Sequence, residues 1–199
     1  MIRILQGMPT LKRAFHTCLT GIGNPEPTYR DTRHNVGLFV LDGIKDYLVG
    51  SQVRYLPCSK VSKVHAQYLT VPPDLILLRS DGSYMNVSGE NVIPVWRRIE
   101  SQSSSPLKHI VIHDDLEKPL GNVQLRGPGT SLRGHNGLKS IASKLGGKNT
   151  FYKLSIGIGR PLSKDPKAVS DYVLGKFITQ EMDILREKSL PLALNLLGL

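Results

Sequence analysis

Five short clusters of this sequence gather the side chains that water-activating chemistry needs. They are "GIGNP" with Asn24, "TRHN" with His34 and Asn35, "YMN" with Met85 and Asn86, "HDD" with Asp114, and "GHNG" with His135 and Asn136. A neutral imidazole, with an ordinary pKa of about 6.5, can take a proton from water near neutral pH. A carboxylate such as Asp114 can fix the tautomer of that imidazole and stabilise the imidazolium that forms. Asparagine amides offer donors to a developing oxyanion and an acceptor to a substrate N–H, with no charge to desolvate. Such a set suits hydrolysis of an activated ester. Taken singly, each asparagine at a helix start also reads as a cap, and His34 as a helix-terminus residue. Only their convergence would make a site.

Other chemistries lack their signatures. No G-x-S-x-G surrounds a serine, and neither Cys18 nor Cys58 lies in a polar cluster, so water is the expected nucleophile. The two cysteines show no zinc or disulfide spacing, which makes a reducing compartment the default. His113, Asp114 and Asp115 are adjacent, and on a strand they would alternate between faces, so they are not expected to share one ion. No metal and no cofactor is expected. The glycine pairs in "GIGNP" and "GIGIGR" complete neither G-x-G-x-x-G nor a Walker loop, and read as tight turns or close backbone approaches.

The surrounding elements have to bring the clusters together. "AFHTCLTGIG" reads as an apolar strand ending in glycines, and "NPEPTYRDTR" as a loop, because Pro25 and Pro27 lack amide donors. From about 35 to 49, Val36, Phe39, Val40, Ile44, Tyr47 and Leu48 recur at helical spacing. The alternation in "VSKVHAQYLT" and the continuous apolar run "DLILLRS" predict neighbouring strands, the second more buried. "MNVSGENVIPVWRRIE" is helical in pattern, with Pro94 expected to kink it or to sit near its start. "LKHIVIHDD" is the strongest strand signal. After it come a strand "NVQLR", the glycine-rich "GPGTSLRGHNG", a helix through "LKSIASKLG", a strand "YKLSIGIG", a polar segment with "DPKAVSDYVLGKF", and a packed C-terminal helix. This order predicts an α/β fold: a single domain whose central mixed, largely parallel twisted sheet is flanked by helices on both faces. Ligands of such sheets bind beyond the carboxyl ends of strands, where the polar clusters fall.

One domain over 14–199 suits a chain of 199 residues that is 40% hydrophobic and 21% charged. Nothing approaches the roughly 20 apolar residues of a membrane span. The net charge of +10 favours a polyanionic partner. Seven Tyr, four Phe and one Trp are too few to indicate a broad platform for stacking bases. Residues 1–13 form an N-terminal extension holding Arg3, Lys12 and Arg13 and no acid, as targeting leaders do; a mitochondrial location is expected, with the cytoplasm as alternative.

In chain order, "GIGNPEPTYRDTRHNVG", "YMNVSG", "HDDLEKPLGNVQLR", "GHNGLKSI" and "YKLSIGIGRP" resemble the motifs of bacterial-type peptidyl-tRNA hydrolases, the eukaryotic branch in particular. The resemblance implies cofactor-free hydrolysis of the ester joining a peptide to the 3′ terminal ribose of tRNA, by a protein acting as a monomer. It implies His34 as the base, Asp114 as its partner, and Asn24 and Asn136 as holders of substrate or water. Met85 and Asn86 would line the peptide channel and stabilise the intermediate, with Tyr29 and His135 as further substrate contacts. Asn35 is left as the helix cap. Arg126, Arg133, Lys144, Lys153, Arg160 and Lys164 are the nearest basic residues for tRNA phosphates. The chain departs from the family in Ser155, where many relatives carry a tRNA-gripping arginine, in a glycine-rich loop longer by about one residue, and in "DGSYMN". The alternative reading is a catalytically idle RNA-binding or splicing-associated relative.

Overall fold

The computed structural model describes residues 16–59, 61 and 64–199; the extension over 1–13 lies outside the described residues. Seven strands form one sheet: β1 (Thr17–Ile22), β2 (Leu56–Pro57), β3 (Gln67–Val71), β4 (Leu75–Ser80), β5 (Lys108–Asp115), β6 (Val123–Arg126) and β7 (Tyr152–Gly157). Their order across the sheet is β2-β3-β4-β1-β5-β7-β6. β4, β1, β5 and β7 run parallel, while β2, β3 and β6 add antiparallel edges. The central strands are apolar on both parities because helices cover both faces. Leu19, Leu77, Ile110 and Ile112 share a core with α1 (Val36–Val49). Cys18, Ile76, Leu78 and Val111 share the opposite core with α2 (Ser88–Gln102) and α3 (Asn136–Lys144).

Of the two places expected for Pro94, a kink within α2 or its start, it takes a position inside the helix. Two elements differ from the sequence reading. The segment read only as polar contains α4 (Pro166–Leu174), started by a signal the composition hid: the Asp165 carboxylate accepts the amides of Lys167 and Ala168 at 2.9 and 3.0 Å, with Pro166 next in the chain. The C-terminal helix divides into α5 (Thr179–Ile184), a π turn over Leu185–Ser189, and α6 (Leu190–Leu197). Among the described residues no helix is long and apolar enough to cross a membrane. Cys18 and Cys58 are buried free thiols, pushed up by burial to about 12 and about 11, so neither supplies a nucleophile.

Candidate active site

The site forms where β1 and β5 end and α1 begins. A Cβ on Gly37 would fall 2.4 Å from the Ile112 carbonyl oxygen and 2.9 Å from that of Ile22. Glycine therefore lets the first turn of α1 lie directly on both strands. That approach carries His34, in the 3₁₀ turn Arg33–Asn35, to the end of β5. Arg33 pins the turn from outside, donating to both Glu181 carboxylate oxygens at 2.9 and 2.8 Å and stacking 4.5 Å over Tyr172.

Asp114 is the hub. His34 Nδ1 lies 2.8 Å from Asp114 Oδ1, and His135 Nε2 lies 2.9 Å from the same oxygen. An ionised carboxylate only accepts, so both imidazoles donate. His135 Nδ1 in turn accepts the Leu138 amide at 3.3 Å as the N-cap of α3. Both its nitrogens are thus committed within the protein. His135, expected as a substrate contact, is placed here as a brace on Asp114. His34 keeps Nε2 free on a side chain 19% exposed.

Burial works against a charged His34, but the charge and hydrogen bond of Asp114 outweigh it, and its pKa lies above the ordinary value. Burial alone would raise Asp114; His34 and His135 hold it far below the usual carboxylate range instead. Under the site, His113 Nδ1 donates to the Asp114 carbonyl at 2.6 Å and Nε2 faces the Ser155 hydroxyl at 3.2 Å. Burial, and next the neighbouring His135, push His113 down to about 3, so it stays neutral. Ser155 is fully buried against it.

The asparagines divide into scaffold and open amides. Asn24 Oδ1 accepts the Met85 amide at 2.9 Å. Asn35 stands at the N-cap position of α1 but its side chain caps nothing, a correction to its expected role: it accepts from Asn24 N at 2.8 Å and donates to Asn24 O at 3.1 Å, locking the loop after β1 to the start of α1. Asn86 and Asn136 are exposed, and their side chains make no hydrogen bond among the described residues. A Cβ on Gly137 would meet Met85 Cγ at 2.7 Å, so the first turn of α3 packs on the residue that Asn24 holds. Tyr29 meets Tyr84 edge-to-face at 6.0 Å. Sequence reading passed over Tyr84, Arg33 and Gly37, whose only signal was adjacency to the motifs. The ligand atoms of His34, Asp114 and His135 also lie within 4.8 Å of one another, the one group among the described residues able to hold a metal ion. Spacing on β5 hid it, because its members come from three elements. An ion there would displace two N–H protons already donated to Asp114.

A protein-family model described as "Peptidyl-tRNA hydrolase" matches residues 18–198. The chain belongs to the peptidyl-tRNA hydrolase family. It is 48% identical to the peptidyl-tRNA hydrolase of Saccharomyces cerevisiae over 88% of this chain and 91% of that one. With the peptidyl-tRNA hydrolase of Wolinella succinogenes it shares 38% identity over 87% and 81% of the two chains. The crystal structure of peptidyl-tRNA hydrolase from Acinetobacter baumannii superposes with a TM-score of 0.68 at 28% identity, covering 92% of this chain and 94% of that one.

In this member of the peptidyl-tRNA hydrolase family the expected phosphate contacts fall into two groups. Lys164 is exposed, Arg133 and Lys144 are exposed but paired with Asp115 at 2.9 Å and Glu90 at 3.3 Å, and Arg160 is exposed beside Glu117. Lys153 and Arg126 lie below the surface: Lys153 is fully buried and Arg126 is 9% exposed. Lys153 Nζ donates to Thr130 O at 3.2 Å and Asn149 Oδ1 at 2.9 Å, while Arg126 Nη1 donates to Ser131 O at 3.0 Å. Burial, then Arg126, push Lys153 down to about 8. The loop over 127–131 covers both.

Proposed function

We propose that this chain hydrolyses the ester between a peptide and the 3′ terminal ribose of tRNA, recycling tRNA from aborted translation, with His34 activating water. The observation that carries the reading is the shared Asp114 oxygen. By accepting both imidazole N–H groups it leaves His34 Nε2 free to act as a base. Nε2 takes a proton from water as the water oxygen bonds to the ester carbon, and the carbonyl electron pair moves onto its oxygen. The Asn86 amide is assigned to that oxyanion, and the Asn24 and Asn136 amides to water and peptide. Collapse breaks the carbon–oxygen bond to the ribose, and the imidazolium returns its proton to the departing 3′ oxygen. The products are a free 3′ hydroxyl and a peptide carboxylic acid, which gives up its remaining proton to solvent. Asp114 stays ionised throughout.

Neutral amides also favour N-acylated substrates. A free α-ammonium would have to leave water for a site whose carboxylate, Asp114, is already taken by two imidazoles, whereas a peptide bond presents an ordinary amide. Charge supports an RNA substrate as well. The α2–α3 layer, with the turn after it, carries Arg97, Arg98, Lys139, Lys144 and Lys148 against Glu90 and Glu100. Helices α1, α5 and α6 and the π turn between them carry more acid than base. Residues 1–13 suit delivery to the mitochondrion, tested by imaging tagged chains with and without them.

N-acetyl-aminoacyl-tRNA incubated with the protein and excess chelator tests the reaction. Release of N-acetyl amino acid is expected. His34→Ala is expected to abolish turnover while retaining tRNA binding; near-normal turnover by that variant would sink the mechanism.

A further inference from the structure

Arg133 is held in a backbone conformation that a side-chain-bearing residue seldom adopts. Its φ is +48°, Gly134 follows at +76°, and the His135 amide donates to the Leu132 carbonyl at 3.0 Å. Two successive positive φ values closed by that bond are the signature of a type I′ turn. A non-glycine residue at its first corner carries strain and persists only where its surroundings compensate. Packing compensates little here. Residues 133 and 134 are exposed, and a Cβ on Gly134 would touch nothing within 4 Å. Leu132 reaches the core, partly buried on the α2–α3 side of the sheet.

An ion pair to the sheet does the rest. Arg133 Nη1 donates to Asp115 Oδ2 at 2.9 Å, and that carboxylate is 2% exposed. Asp115 is itself firmly held. Its other oxygen accepts the Glu117 amide at 3.0 Å, its carbonyl accepts the Ile158 amide at 3.2 Å, and its backbone stands beside Gly157 in the β5–β7 register. A charge-assisted bond to so buried an anion is stronger than one at the surface, because water competes for it poorly. Expected as a phosphate contact, Arg133 thus turns its guanidinium inward. Two residues on, the turn delivers His135, whose Nε2 meets Asp114 Oδ1 at 2.9 Å and whose Nδ1 caps α3. Asp114 and Asp115 are neighbours at the end of β5, so one strand end both fixes the turn and receives the imidazole it carries.

We propose that Arg133 is a positioning residue for the hydrolysis: its pair with Asp115 holds the 132–135 turn, and the turn aims His135 at Asp114. The effect passes through His135 to the carboxylate that orients the base. With the turn released, Asp114 loses one of its two imidazole donors and keeps His34 as the other. The carboxylate is then less firmly oriented, and it offers more of its charge to His34, which favours the imidazolium. The substrate of the reaction rests on the peptidyl-tRNA reading; the placement of His135 does not.

The test uses the full chain, with N-acetyl-aminoacyl-tRNA for turnover, a labelled tRNA for binding, and proton NMR of the nitrogen-15-labelled protein. Glycine accepts a positive φ without strain, so Arg133→Gly keeps the backbone of the turn available and removes the side-chain tie. It is expected to lower kcat by about 10–100-fold with KM little changed, the scale of a small misplacement at a catalytic site. The pH–rate limb should move to higher pH, as a stabilised His34 imidazolium requires. The salt slope of tRNA binding should stay at its wild-type value, whereas loss of a phosphate contact would lower it by about 0.7–0.9. Arg133→Lys keeps a cation within reach of Asp115 and should restore part of the loss. Asp115→Asn should reproduce the loss, and the double variant should be no slower than either single one. The Nε2–H resonance of His135, assigned with His135→Gln, should be present in the wild type and lost in Arg133→Gly. Normal kcat with a lower salt slope in Arg133→Gly would make Arg133 a phosphate contact and overturn the proposal. Multiplied losses in the double variant, or an unchanged His135 resonance, would overturn it as well. Failure of the wild-type chain to release N-acetyl amino acid would remove the enzymatic reading, and the resonance would then decide by itself whether Arg133 places His135.

Discussion

At His34 the chemistry turns on which nitrogen holds the proton. Asp114 takes the Nδ1 hydrogen, so Nε2 is the base, and only the neutral ring can act. Because the charge of Asp114 more than offsets burial, kcat/KM is expected to rise with pH through an apparent pKa above about 6.5 and then level off. Asp114→Asn removes the charge and leaves burial dominant. The limb should move to lower pH while the plateau falls by about 10²–10⁴-fold. pH–rate profiles of the two proteins decide the matter, and an unmoved limb would mean that another group titrates. His113 should not contribute a limb, since burial pushes it down to about 3.

At the scale of elements, catalysis depends on how closely α1 lies on the sheet. Gly37→Ala would place a methyl group 2.4 Å from the Ile112 carbonyl. Backbone cannot yield as a side-chain tip would, so α1 must shift, at a cost of about 1–3 kcal/mol in stability. The same shift draws His34 from Asp114, so kcat should fall more than KM rises. Urea unfolding measures the first effect and steady-state kinetics the second. A variant with normal kcat would show that α1 is not what sets the His34–Asp114 distance. α3 supplies the other brace, through the imidazole that caps it.

Across the whole molecule, charge is sorted by face. The helices of the α2–α3 layer start at the catalytic edge and run away from it, carrying Arg97 and Arg98 exposed on α2 and Lys139 and Lys144 on α3. Reversing Arg97 and Arg98 to Glu together should raise KM for peptidyl-tRNA and reduce the salt slope by about 0.7–0.9 for each phosphate no longer neutralised. Binding measured between low and moderate salt checks this. An unchanged slope would place the RNA on another surface. Cores on both faces make the sheet the frame for both the reactive edge and the basic layer.

Much of this was legible from local order. The apolar runs of β4 and β5, the spacing of α1 and the five polar clusters depend on near neighbours, and so the α/β layers could be read from the sequence, and His34, Asp114 and the asparagines could be named there as candidates. Folding decided what depends on distant partners. Asn35 became a brace because Asn24 reached it, and His135 turned inward because α3 needed a cap beside Asp114. Lys153 and Arg126 look like ordinary surface charge in sequence, since a strand's letters do not say what covers it. The loop over 127–131 takes up both charges with backbone carbonyls, a partnership no local pattern announces.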